Sequence, residues 1–241
     1  MEMKTRIIIP ARLSSTRLSK KLIRKIDDKM LIEHIILRAK KIKSDSLIVA
    51  TDDRKIQKIT ESTNTDCWFS KKIFLNGTHR IASLSKELKY HKNDIVINIQ
   101  ADEFNFSLDG ISKMITYMKK STKMLVSTLV YKNANKNTLK DENSVKVLLD
   151  ENNYALVFSR FLSPFSIQKN PLIHLGIYGY RVSALNIYPK LPISIYEKYE
   201  KLEQLRFLWN NIKIKCILLN NNKSISVNSL KDLKAARKSR T

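Results

Sequence analysis

The chain has 241 residues, 43% of them hydrophobic, which is enough for one α/β domain with a buried core, and no apolar run reaches membrane-spanning length. Its net charge of +23 comes from 12 Arg and 33 Lys against 22 Asp and Glu, but the lysines are spread among many Asn and Ile along the whole sequence. That distribution argues against an Arg-rich face for specific nucleic-acid binding. The opening Met1-Glu2-Met3-Lys4 has no secretory pattern, and Cys67 and Cys216 lie far apart without metal-ligand spacing, so a cytoplasmic protein with reduced thiols is expected.

The first predicted strand, Thr5–Pro10, is a short apolar run that breaks at Pro10 into a polar loop carrying Arg12, Arg17, Lys20 and Lys21. Neighbouring phosphate oxygens repel one another, so a polyphosphate site needs cations from more than one direction, and this loop supplies them. Neither GxxxxGK[ST] nor GxGxxG occurs in a chain with only four glycines, and on spacing alone the same cations read equally well as solvated surface. A helix is predicted over Leu31–Lys41, then a strand over Ser46–Thr51 that ends in Thr51-Asp52-Asp53. Asp52 reads as the N-cap of the next helix, Arg54–Thr63. After a helix at Gly77–Leu88, the strand Asp94–Gln100 ends in Ala101-Asp102-Glu103, where Asp102 is placed to hold Mg²⁺ through a hard oxygen.

A helix at Ser107–Lys120 and strands at Met124–Tyr131 and Val145–Leu149 follow. From about Tyr154 to Lys198, Pro164, Pro171, Pro189 and Pro192 interrupt the βα rhythm, and the segment is expected to form an inserted subdomain with an oligomer contact, although Ile173–Arg181 still reads as a strand. Ser194-Ile-Tyr-Glu197 predicts a capping box opening a helix over Tyr196–Asn211, in which Tyr199, Leu202, Leu205 and Leu208 or Trp209 recur at helical spacing, flanked by Glu203 and Gln204. A strand at Lys213–Leu219 and a helix at Leu230–Arg237, capped by Ser229 and Asp232, complete the pattern. Strands alternating with helices predict a mostly parallel sheet.

Several blocks occur together in one order: Pro10-Ala11-Arg12 with Ser15-Thr16-Arg17-Leu18 and Lys21, Ala50-Thr51-Asp52, Gly77-Thr78 with Arg80, and Gln100 with Asp102-Glu103. They continue with Val145-Lys146-Val147, Tyr154-Ala155-Leu156 with Phe158-Ser159-Arg160, His174 with Gly176-Ile177-Tyr178, and Leu202-Glu203-Gln204-Leu205-Arg206. From end to end the sequence resembles the CMP-Kdo synthetases, the 3-deoxy-manno-octulosonate cytidylyltransferases. The resemblance implies a Rossmann-like nucleotidyltransferase fold, a three-layer α/β sandwich with a dimerising subdomain inserted at about residues 154–198, and a homodimer. It also implies Mg²⁺-dependent conversion of CTP and the sugar acid Kdo to CMP-Kdo and pyrophosphate for lipopolysaccharide synthesis.

By the same resemblance, Pro10, Ala11, Arg12, Ser15, Lys21, Thr78, Arg80 and Asp102 would bind the nucleotide, with Arg12, Lys21 and Asp102 acting in catalysis. Arg17, Gln100, Arg160, His174, Tyr178, Glu203 and Gln204 would bind the sugar acid, and Asp102 with Asn228 would bind the metal. The chain departs from the family pattern in placing Ser19, Lys20 and Leu22 where Pro, Gly and Pro are usual, and Asn228 where the second metal-binding Asp is usual. The 8-amino form of Kdo is an alternative substrate. A weakened homologue that binds nucleotide or polyanion is an alternative function.

Overall fold

The computed structural model describes residues 2–13, 18–132, 138, 140–161 and 172–239. Its elements in chain order begin with β1 (Thr5–Ala11), β2 (Lys25–Ile26), β3 (Lys29–Met30), α1 (Leu31–Ala39), β4 (Ser46–Thr51), α2 (Arg54–Ser62), β5 (Asp66–Phe69) and α3 (Gly77–Glu87). The middle of the chain forms β6 (Ile95–Ile99), β7 (Glu103–Phe104), α4 (Leu108–Lys120), β8 (Val126–Lys132), β9 (Lys146–Leu149), β10 (Ala155–Ser159) and β11 (Leu172–Arg181). The last part forms α5 (Val182–Ile187), α6 (Ile195–Glu200), α7 (Leu205–Trp209), β12 (Ile214–Leu219), β13 (Ile225–Ser226) and α8 (Leu230–Lys238).

Among the described residues, nine strands form one mixed sheet in the order β10-β9-β11-β6-β1-β4-β5, with β8 pairing both β11 and β12. The half around β1 is parallel: Ile7 pairs with Leu47 of β4 on one side and Ile97 of β6 on the other. The cause is the near-continuous apolar sequence of these strands, which suits burial on both faces. Ile7 and Ile9 point into one apolar layer with Ile32, Ile35, Phe106 and Met114, whereas Ile8 points into the other with Ile48, Ile81, Leu84 and Tyr180. Helices therefore cover both faces, giving the three-layer arrangement expected from the resemblance.

β11 joins this sheet antiparallel to β6, through Ile177 opposite Ile99, and antiparallel to β8. Within the proline-interrupted segment 154–198, β10 and β11 thus belong to the main sheet. Gly179 of β11 leaves no room for a methyl group: an added Cβ would meet Met118 Sδ, Ser127 Oγ and Met114 Sδ at 2.5–2.8 Å. Gly179→Ala is expected to destabilise the fold by about 1–3 kcal/mol through overpacking, read as a lower midpoint in thermal or urea unfolding.

Three local expectations need correction. Asp53, not Asp52, caps α2, its carboxylate accepting from the Lys55 and Ile56 N–H groups at 2.8 and 3.1 Å. The helix expected over Tyr196–Asn211 is two short helices, because Lys201 takes a left-handed conformation with φ 54° that a continuing helix cannot contain. The break leaves Tyr199 74% exposed while Leu202 and Leu205 remain buried. Ser194 does cap α6, accepting from the Glu197 N–H at 3.0 Å, but the Glu197 carboxylate does not complete a box. It pairs instead with the buried Arg206 guanidinium through contacts of 2.8 and 2.6 Å, because a buried guanidinium needs a counter-charge more than a helix end needs a second cap.

Candidate active site

The carboxyl ends of β1 and β6 open into a cleft of about 1020 Å³, the position at which open α/β sheets place their ligands. Pro10, Ala11, Arg12, Lys21, Arg80, Gln100, Asp102, Arg160, His174, Tyr178, Glu203, Gln204 and Asn228 all line it. Thr78 stands behind the wall, fully buried, with its N–H donating to Glu203 Oε2 at 3.2 Å. Ser15 and Arg17 lie outside the described residues.

The phosphate-like corner is made by chain reversal. Past the loop, Lys20 takes φ 52° and turns the backbone into the short helical turn Lys21–Ile23, which aims Lys21 inward. Lys21 Nζ donates to Asp102 Oδ2 and to Asn228 Oδ1, the latter at 3.0 Å. Asp102 is held in place by its own carbonyl, which accepts from the Val227 N–H at 2.9 Å and so fastens the segment carrying Asn228 beside it. Below lies the buried Glu103, whose carboxylate accepts from Ser224 Oγ, Ser226 Oγ and the Gly176 N–H. Burial, and then the charge of Asp102, raise the Glu103 pKa.

Asp102 and Asn228 bring two hard oxygen donors to one point, a partial set of the kind Mg²⁺ completes with phosphate oxygens and water. Among the described residues no cluster of three His, Cys, Asp or Glu side chains forms a closed metal cage. Two oxygens alone leave most of an ion's shell to a ligand and water.

The opposite wall is built for a polar ligand. Arg160 is oriented at the end of β10 by donating from Nε to the Glu200 carbonyl at 2.9 Å and from Nη1 to the Glu142 carbonyl at 2.8 Å. The buried Lys146 holds the Arg160 carbonyl from beneath. Burial, and then the Arg160 cation, lower the His174 pKa to about 3, so its ring is neutral. Burial keeps the Tyr178 phenol protonated, and raises the Glu203 pKa as well. The left-handed turn at Lys201 delivers Leu202, Glu203 and Gln204 to this wall.

The third side carries Arg80, whose Nη2 donates to Asp52 Oδ2 at 2.6 Å, together with Asn76, the N-cap of α3. Sequence reasoning did not single out Asn76, Asn98, Asn143 or Lys201. For Asn98 a signal existed: it is the one amide within the apolar run Ile95–Ile99. Arg80 Nη1 and Gln204 Nε2, also at this cleft, are buried without a partner among the described residues. A polar ligand would relieve such groups.

Residues 6–214 match the family model described as Cytidylyltransferase. The chain is 38% identical to a 3-deoxy-manno-octulosonate cytidylyltransferase of Francisella tularensis subsp. holarctica, over 96% of each chain. It is 40% identical to one of Fusobacterium nucleatum, over 87% of this chain and 86% of that one. A solved structure of CMP:2-keto-3-deoxy-manno-octonic acid synthetase complexed with CTP superposes with a TM-score of 0.88 at 28% identity, over 98% of both chains. With the matched residues running from the first strand into the last strand of the main sheet, and the cleft at the strand ends that face a nucleotide in such folds, the chain belongs to the cytidylyltransferase family, among the 3-deoxy-manno-octulosonate cytidylyltransferases.

Proposed function

We propose that this protein activates Kdo with CTP, giving CMP-Kdo and pyrophosphate for lipopolysaccharide synthesis. The observation that carries the reading is the pairing within one cleft of a cation–carboxylate corner, Arg12, Lys21, Asp102 and Asn228, with a wall of Arg160, His174, Tyr178, Glu203 and Gln204. Such a cleft suits a triphosphate at one end and a polyhydroxylated acid at the other. The anomeric hydroxyl of the sugar attacks the α-phosphorus and gives up its proton to solvent, a new P–O bond forms, and the bond from the α-phosphorus to the oxygen of the departing pyrophosphate breaks. Arg12 and Lys21 stabilise the charge that gathers on the departing pyrophosphate. Arg160 pairs with the sugar carboxylate, and the neutral amides and phenol orient its hydroxyls, so that catalysis is by positioning and charge with no covalent intermediate. Asp102 and Asn228 would hold Mg²⁺, which when bound neutralises phosphate charge.

Pyrophosphate release from CTP, UTP, ATP or GTP, each with Kdo or 8-amino-Kdo, tests the reading. Turnover confined to CTP with Kdo supports it, and turnover confined to CTP with 8-amino-Kdo overturns the choice of sugar while keeping the cytidylyl transfer. Absence of turnover with both sugars overturns it.

Two expectations follow from the site. Asn is a weaker Mg²⁺ ligand than a carboxylate, so Asn228→Asp is expected to lower the Mg²⁺ concentration for half-maximal activity, by about 3- to 10-fold. Superimposed Mg²⁺ titrations of the two proteins would make Asn228 a turn residue only. Since His174 is neutral above about pH 3, its imidazole is expected to add no inflection to the sugar KM from about pH 5.5 to 8, beyond any that the raised Glu203 carboxyl contributes and that His174→Gln would retain. A steady-state pH series shows whether one occurs.

We place the protein in the cytoplasm as a homodimer. No helix among the described residues is long and apolar enough to cross a membrane. Ile195, Tyr196, Tyr199 and Trp209 expose apolar surface around α6 and α7, the kind of patch that marks a protein contact. Sedimentation of the protein and of Tyr199→Glu distinguishes a dimer through this face from a monomer.

A further inference from the structure

β11 slips register against β8 between Leu175, which pairs with Leu129, and Tyr178, which pairs with Thr128. Gly176 and Ile177 therefore fall between partners on β8, as in a bulge. Two carbonyls near the slip turn to the buried Thr128 hydroxyl, which lies 2.8 Å from Ile177 O and 3.4 Å from Leu175 O. A carbonyl oxygen only accepts, so the one hydroxyl proton is committed to Ile177 O. The same Oγ1 lies 3.0 Å from His174 Nε2. With its proton directed elsewhere, Thr128 accepts, and Nε2 carries the ring N–H.

A neutral imidazole has one N–H, which leaves Nδ1 with a lone pair. His174 lines the cleft between the rings of Phe158 and Tyr178, at 5.3 and 5.1 Å, and Nδ1 has no hydrogen-bond partner among the described residues. Lowering of the ring's pKa by burial and by Arg160 agrees with a neutral acceptor.

We propose that Thr128 is a positioning residue that fixes His174 as the Nε2–H tautomer and so makes Nδ1 a hydrogen-bond acceptor offered to a sugar hydroxyl. The sugar half of this inference rests on the sugar-acid reading of the cleft. An acceptor lone pair selects a hydroxyl donor and repels a carboxylate oxygen, so it turns the acid group toward Arg160 and the hydroxyl end toward His174. The selection is made by a strand slip two residues along the same strand.

Nitrogen NMR of protein labelled at histidine, with the His174 resonances identified by their loss in His174→Gln, reads the tautomer without substrate. Wild type and Thr128→Ser are expected to show an acceptor-type Nδ1 and a protonated Nε2, whereas Thr128→Val is expected to show a mixture of tautomers. Thr128→Val is also expected to raise the sugar KM by about 5- to 30-fold with CTP affinity unchanged, and Thr128→Ser to restore it. A wild-type ring protonated at Nδ1, or a folded Thr128→Val enzyme with a sugar KM within about twofold of wild type, would overturn the proposal. If Thr128→Val does not fold, the wild-type spectrum decides, since an N–H on Nδ1 is incompatible with it. Failure of wild type to turn over either sugar acid removes the substrate reading, and the tautomer is still decided by the spectrum.

Discussion

Asp102→Asn is expected to lower kcat by about 10²- to 10³-fold, equivalent to about 3–4 kcal/mol of transition-state stabilisation, with the fold intact. Two effects add. The carboxylate that we propose as the charged ligand for Mg²⁺ becomes a neutral amide, and Lys21 loses the anion that holds its ammonium at the phosphate corner. Both act when charge moves onto the leaving pyrophosphate, so kcat should fall more than CTP binding weakens. Single-turnover rates and calorimetric CTP titration separate the two. Wild-type kcat at ordinary Mg²⁺ would remove Asp102 from the chemistry.

Arg206→Ala is expected to carry the largest stability cost, about 3–5 kcal/mol, because it leaves the Glu197 carboxylate buried without its partner. That is a large share of the stability of an ordinary domain. Arg206 also lies over the Tyr188 ring at 4.5 Å, so the truncation removes packing as well as charge. The double variant Glu197→Leu with Arg206→Leu should recover much of the loss, since no lone charge then remains inside. Urea unfolding of wild type, Glu197→Leu, Arg206→Leu and the double variant gives the coupling directly, and a cost below about 1 kcal/mol for Arg206→Ala would contradict the expected loss.

Much of the fold was legible because the strands of the parallel half are apolar on both faces, a pattern that survives without knowledge of their neighbours. β5 was missed because Asp66–Phe69 is four residues long, with only Trp68 buried. The break at Lys201 was invisible for a different reason: a lysine in a left-handed conformation has no signature in its own side chain, and the apolar spacing runs on through it. Cleft-lining residues were legible where one end of a strand meets a charged side chain, as at Arg12 and Asp102. They were not where the side chain acts on a distant segment. Glu197 was read as a cap from its spacing to Ser194, and its real partner, Arg206, is set by burial. Lys146 and Glu103 matched family blocks, yet their partners, the carbonyl of Arg160 and the hydroxyls of Ser224 and Ser226, became visible only in the fold.

The Glu103 carboxylate joins three pieces of chain that meet nowhere else in sequence: its own turn after β6, the β13 strand that leads to Asn228, and the Gly176 N–H in the slip of β11. The corner that carries Lys21, Asp102 and Asn228 and the wall that carries His174 and Tyr178 are thereby clamped to a common anvil instead of being carried on separate jaws. An added Cβ at Gly176 would stand 2.8 Å from Gln100 and 3.0 Å from Glu103, so the anvil admits no thicker backbone at that point. The spacing between the Lys21 corner and the His174 wall is accordingly set in part by three hydrogen bonds to one buried carboxylate.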